Sequence, residues 1–139
     1  MPKQELVSDE LAAPNGHFAQ ATVTEARGRI VFVSGMTARG QDGRIVGVGD
    51  ISAQTHQVCR NVIAAVRAAG GDVEDIARVD VYVRDISQFD AIHAVRRQYF
   101  TGVAPASTMV EISAFTRDDY LIEMNAIAVL HDDEAGARA

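Results

Sequence analysis

The chain has 139 residues, 47% of them hydrophobic and 23% charged, which is the size and make-up of one globular domain with one core. A formal net charge of −6 repels a phosphate backbone, and the scattered Arg and Lys residues form no basic patch, which argues against a nucleic-acid partner. A single cysteine, Cys59, excludes an intrachain disulfide and fits a reducing, cytoplasmic setting, and no apolar run is long enough to span a bilayer.

One domain is expected over 1–139. Residues 1–13 mix Lys3, Glu5, Asp9 and Glu10 among apolar residues and read as an extended N-terminal segment without a signal-peptide core. Phe18 to Glu25 alternates Ala19, Ala21 and Val23 against Phe18, Gln20, Thr22 and Thr24, and Ile30 to Val33 is a short apolar run ending at Ser34-Gly35. Two strands joined by a turn at Arg27-Gly28 account for both. Gly40, Gly43, Gly47 and Gly49 mark a loop that lacks the Lys and Ser/Thr of a phosphate-binding P-loop.

Asp50 is placed to cap a helix whose stripe is Val58, Val62, Ala65, Val66 and Ala69, with Gly70-Gly71 as its stop and Cys59 as a small buried hydrophobe. Ile76 to Arg84 alternates strictly, with Val79, Val81 and Val83 on the dry side of a strand. Ser87 and Asp90 are spaced to start a second helix with Phe89, Ile92, Val95 and Tyr99 as its stripe and Gly102 as its stop. Thr108 to Ala114 and Tyr120 to Leu130 read as closing strands with a turn at Arg117-Asp118-Asp119, and 131–139 as a flexible tail.

The order β-β-α-β-α-β-β predicts an α+β fold in which two helices pack on one face of a mixed β-sheet. The other face carries Phe18, Tyr82, Met109 and Met124 or their neighbours, depending on register, and a partner subunit is its simplest cover.

The chemistry-bearing side chains are few. Glu123 lies on a strand, where periodicity alone makes it the polar side of an alternating pattern. His93 and Arg96 are three apart on the second helix and share a side; spacing alone favours His93 filling a packing gap and Arg96 in solvent. His56 and His131 read as structural or exposed, and the four histidines have no zinc spacing, so neither metal nor cofactor is expected. Ser107 has no Gly-x-Ser-x-Gly elbow and reads as a hydrogen-bond donor to ligand or backbone.

Several runs together resemble one family. Asn15-Gly16-His17-Phe18-Ala19-Gln20-Ala21 is similar to the opening G-P-Y-S-Q-A of the RidA/YjgF proteins, and Ile30 to Met36 to their L-F-V-S-G-Q. Ala68-Ala69-Gly70-Gly71 with Val79 to Asp85 resembles their A-A-G loop and following strand. Pro105-Ala106-Ser107-Thr108 falls at their P-A-R-S, and Ile122 to Ala128 at V-E-I-E-A-I-A. The resemblance runs in order through roughly four-fifths of the chain, well beyond a single motif. It implies a chorismate-mutase-like fold, a homotrimer with clefts between subunits, a small-molecule ligand and, for the best-known members, hydrolysis of enamines and imines to ketones and ammonia.

The resemblance also assigns site residues. Glu123 aligns with the glutamate that positions or activates water; desolvation in a cleft raises a carboxylate's pKa, which suits a group that takes and gives a proton. Ser34 and Gly35 align with a step that offers backbone N–H groups to an anion or carbonyl oxygen, and His17 is expected on the rim of the cleft. The departures cluster at binding positions. Ser107 stands where deaminating members have an arginine that grips a carboxylate with two hydrogen bonds, Phe18 replaces a tyrosine, Met109 a cysteine and His93 an asparagine. His93 and Arg96 are candidates to replace part of that missing equipment.

Three functional classes follow, in this order: a pathway-specific hydrolase or proton-transfer enzyme acting on an enamine, imine or related C–N compound; a trimeric small-molecule binder without chemistry; and an endoribonuclease. The acidic balance and the absence of a basic aromatic groove put the last one at the bottom.

Overall fold

Helical spacing of valines builds the main core element. In the computed structural model, which describes residues 3–131, helix α1 (Ile51–Ala68) buries Val58, Val62 and Val66 completely, together with Cys59. Asp50 caps it by accepting a hydrogen bond from the Ala53 amide at 3.0 Å, and the chain leaves through Gly70, whose φ of 95° suits glycine. Helix α2 (Phe89–Tyr99) packs beside α1 and buries Ile92, His93, Val95 and Arg96.

Strands β3 (Arg29–Met36), β4 (Ile76–Val83), β5 (Ala106–Glu111) and β6 (Ile122–Leu130) form one sheet in the order β3-β6-β4-β5. β4 and β5 are parallel and the other pairs antiparallel, so the sheet is mixed, as expected, and the two helices lie on one face of it. The strict alternation of β4 turns Val79, Val81 and Val83 into the core, where Ile122, Met124 and Ala126 of β6 meet them. The opposite face carries Tyr82, Glu123 and Asn125 together with Ile30 and Phe32, which are 53% and 75% exposed.

Several sequence expectations are corrected by pairings between distant segments. The extended N-terminal segment contains a strand that the expected element order lacks, β1 (Gln4–Leu6), which pairs antiparallel with β2 (Ala21–Val23). Lys3 anchors this ribbon by donating to the Glu74 carbonyl at 2.7 Å, and Thr22 Oγ1 donates to Ala77 O at 2.9 Å. β2 is therefore much shorter than Phe18 to Glu25, and it does not form a hairpin with β3 across Arg27-Gly28. The closing strands are also not neighbours, because β4 lies between β5 and β6. The second helix starts differently from the Ser87–Asp90 expectation: Asp85 accepts from the Ser87 amide at 2.9 Å and caps a single 3₁₀ turn, Ile86–Gln88, which leads into α2. Met109 and Met124 face the core, so their neighbours, not they, occupy the uncovered face with Tyr82. Of the expected tail, only His131 lies within the described residues; Thr24 Oγ1 and the Glu25 carbonyl each lie 3.0 Å from its Nε2.

Candidate functional site

The Ser34-Gly35 step interrupts an otherwise regular strand. Val33 pairs with Ala126 and Met36 with Met124, so two residues of β3 stand opposite Asn125 alone, a β-bulge that opens the ladder. The carboxylate of Glu123 sits directly against Gly35, and a Cβ there would collide with Glu123 Oε2. Glycine is required by this close approach. Glu123 is half-buried and projects from the uncovered face beside Tyr82, and its carboxylate makes no hydrogen bond or ion pair among the described residues. Its carboxylate oxygens remain available to a ligand or water.

A second group gathers where α2, β5 and the segment before β2 meet. The Ala19 amide donates to Pro105 O at 3.2 Å, which lays residues 16–19 along the start of β5. His17 Nε2 donates to the Phe100 carbonyl at 2.8 Å and pins that segment to the end of α2. His93 stacks on Phe89 with ring centroids 3.9 Å apart, and its Nδ1 donates to the Phe89 carbonyl at 3.0 Å. That bond fixes the neutral tautomer with the lone pair on Nε2, which lies 2.9 Å from where a Cβ of Gly16 would be. Burial holds the His93 pKa below its ordinary value; the Phe89 bond opposes this, and the charges of Arg96 and Arg97 reinforce it.

Arg96 departs most from the reading that leaves it in solvent. It is 1% exposed, and its Nη2 donates to Ser107 Oγ at 3.1 Å. Its Nε has no partner, its guanidinium carbon lies 6.0 Å from the centre of the Phe100 ring, and no carboxylate pairs with it among the described residues. Burial lowers its pKa, an effect only partly offset by Cys59, whose own thiol burial pushes up to about 12. The candidate pair on α2 is thus one buried imidazole and one buried guanidinium on the same side of the helix.

The two groups do not meet within one chain. Ser107 and Met109 are in register with Val79 and Val81 and project toward the helices, whereas Glu123 is in register with Tyr82 and projects from the opposite face. Phe18 is partly exposed beside the α2–β5 group, and Ser34 is exposed at the Glu123 group. A hollow of about 690 Å³ between the Gly35–Gly43 loop and α1 is lined by Gln57 and Asn61, but of the expected site residues only Gly35 reaches it. Sequence reasoning gave no role to Gly16 as a packing surface for His93, or to Phe89 and Phe100 as the aromatic walls of the buried pair. For Gly16, the one available signal was its place in the opening run.

The family model described as Endoribonuclease L-PSP matches residues 9–130. The chain belongs to this family, the RidA/YjgF proteins. It is 30% identical over 128 residues to a relative described as 3-aminoacrylate deaminase RutC from Acinetobacter baylyi, covering 92% of this chain and 98% of that one. Among solved structures, the Rid-family protein YyfB of Yersinia pestis superposes with a TM-score of 0.84 at 28% identity, covering 94% of this chain and all of the other. Escherichia coli TdcF, solved with bound serine, superposes with a TM-score of 0.68 at 28% identity, covering 91% and 98% of the two chains. The α+β fold with two helices on a mixed sheet is the RidA/YjgF fold. Among the described residues, no helix is long and apolar enough to cross a membrane.

Proposed function

We propose that this chain is a homotrimeric hydrolase of an enamine, imine or related C–N compound, with Glu123 managing the water or proton in a site shared between subunits. The observation that carries the reading is the free Glu123 carboxylate seated on the Gly35 bulge of an uncovered sheet face. A carboxylate held there by close packing has one geometry and no internal partner, which is what a proton-transfer group needs. Kinship to a 3-aminoacrylate deaminase supplies the reaction class, since loss of ammonia from an enamine requires a proton at carbon and water at the C–N carbon. Ser34 and Gly35, beside the carboxylate, would direct backbone N–H groups at the developing charge.

The shared site follows from the split. Glu123 faces away from Ser107, Met109, His93 and Arg96, so a ligand touching both groups must lie between copies. Ile30 and Phe32, exposed on the Glu123 face, give those copies apolar surface to bury. Replacing Glu123 by Gln tests the assignment: turnover should fall by ~10²–10⁴-fold with little change in ligand affinity, because the amide keeps the shape and loses the proton acceptor. Turnover within a few-fold of the parent would remove Glu123 from the chemistry.

One observation favours a second reading, a trimer that binds a small molecule without transforming it. Met109, which aligns with a family cysteine, packs against the core and brings no reactive group to the site. Protection of the assembly against heat by ligands, without turnover of any enamine or imine, would establish that reading.

A further inference from the structure

The chain leaving β3 and the chain entering β6 meet at one end of that strand pair. The first is a tight hairpin in which the Gly40 amide donates to Arg44 O at 2.8 Å and Gly43 turns the backbone with a φ of 83°. The second is a turn closed by the Tyr120 amide, which donates to Arg117 O at 3.2 Å. Gln54 of α1, fully buried, ties the two together: its Nε2 donates to Gly47 O at 3.2 Å and to Asp119 O at 2.7 Å, and its Oε1 accepts from the Leu121 amide at 2.9 Å. A hollow of about 650 Å³ lies between these loops, with buried Tyr120 in its wall. Its size suits a small molecule, and the Gln54 staple fixes both walls before any ligand arrives.

The charges on those walls are one-sided. Arg39 and Arg44 line the hollow from the hairpin and Arg117 from the turn, and Asp119 is the one carboxylate in the lining among the described residues. None of the three guanidiniums has a firm partner of its own. Arg117 makes no side-chain hydrogen bond or ion pair among the described residues, and Arg39 Nε reaches Gly43 O at a long 3.4 Å. Arg44 Nε lies 3.9 Å from Asp42 with both side chains mostly exposed, a contact worth little. Three cations against one carboxylate leave two positive charges on a concave surface, in a chain whose net charge is −6. That excess is complementary to a dianion. Thr116 adds a hydroxyl, and Ile45 and Val48 an apolar edge.

We propose that this hollow binds a small phosphorylated compound, with Arg39, Arg44 and Arg117 on its phosphomonoester dianion and Ile45 and Val48 against its organic part. A phosphoryl group presents three acceptor oxygens and close to two charges, which guanidiniums arriving from two walls can meet together; a flat, singly charged carboxylate matches them less well. Tyr120, the one aromatic residue in the lining, is buried, which leaves no stacking platform for an RNA strand. No residue assigned to the enamine or imine site lines this hollow, so the proposal does not depend on Glu123.

Methyl phosphate, titrated by calorimetry into the parent protein in mildly alkaline buffer of fixed ionic strength, tests this, with monoanionic methyl sulfate as a probe of the same shape. Methyl phosphate should bind saturably and about ten-fold more tightly than methyl sulfate, the worth of one hydrogen bond to a charged group. Arg39→Gln and Arg117→Gln, both at exposed positions, should each weaken it by about ten-fold with Tm unchanged. Asp119→Asn should strengthen it, because the opposing carboxylate is gone. Arg60→Gln, which removes an exposed cation of α1 outside the lining, should leave it unaltered. No saturable binding, equal affinity for the two probes, or as large a loss in Arg60→Gln as in Arg117→Gln would overturn the proposal. A single-stranded RNA oligonucleotide that binds through these arginines while methyl phosphate does not would overturn it in favour of a nucleic-acid surface. Because the readout is binding, failure of this site is distinct from failure of Glu123, which is read in turnover.

Discussion

Two residues show how backbone geometry sets side-chain chemistry. Gly35 exists to let Glu123 lie against the bulge. A methyl group there meets the far end of a flexible side chain, so Gly35→Ala should fold, with a stability change within ~1–3 kcal/mol, while swinging the carboxylate out of place. Its turnover should drop toward that of Glu123→Gln, as steady-state kinetics beside a thermal melt would show; full activity would separate the bulge from the site. His93 makes a pH statement. Its folded pKa lies below the ordinary 6.5, so the unfolded chain binds the proton more readily, and stability rises with pH between the depressed value and about 6.5. Stability from this group is complete above pH 6.5 and drains away as pH falls through the folded pKa; His93→Asn should flatten that part of a Tm-versus-pH curve. The shared side of His93 and Arg96 was legible from their spacing of three, but the burial of Arg96 was not, because arginine is overwhelmingly a surface residue and nothing in a linear pattern reveals an orphaned cation.

Elements were legible wherever the signal was local. α1 follows its stripe and its Asp50 cap, and β4 follows the Val79, Val81, Val83 alternation. What escaped was pairing over long separations: β1 with β2, β3 with β6, and parallel β4 with β5 depend on contacts that periodicity does not encode. The side to which Met109 and Met124 turn is a register question of the same kind, since one step moves a side chain to the other face. Even a local signal misled at α2, where Ser87 has a suitable spacing to Asp90 but Asp85 takes the capping role through both the Ser87 amide and its hydroxyl. Asp85→Ala should accordingly lower Tm more than Ser87→Ala, because only the first removes the acceptor of the amide bond. Equal losses in paired melts would mean that the 3₁₀ turn does not depend on that cap.

At the scale of the whole molecule, the residues of the proposed site fall into two separate groups within one chain. Glu123 on the Gly35 bulge and Ser107 with Arg96 behind it face opposite sides of the sheet, so the account needs copies brought together by the face that carries Ile30 and Phe32. The family and its fold were legible from short motifs spread along the chain in order, because those motifs sit at the bulge, the helix stop and the strand starts that define the architecture. The division of the site was not, since facing is a property of register and layering. Subunit complementation tests it most directly. Glu123→Gln and Ser107→Ala chains, each crippled alone, are co-expressed, purified as mixed assemblies with a mass of three chains, and assayed on the enamine or imine that the parent turns over fastest. Mixed assemblies should recover a substantial fraction of parental turnover, because some interfaces then join an intact Glu123 from one chain to an intact Ser107 from another. Mixed trimers as inactive as the two parent variants would contradict a site built between subunits.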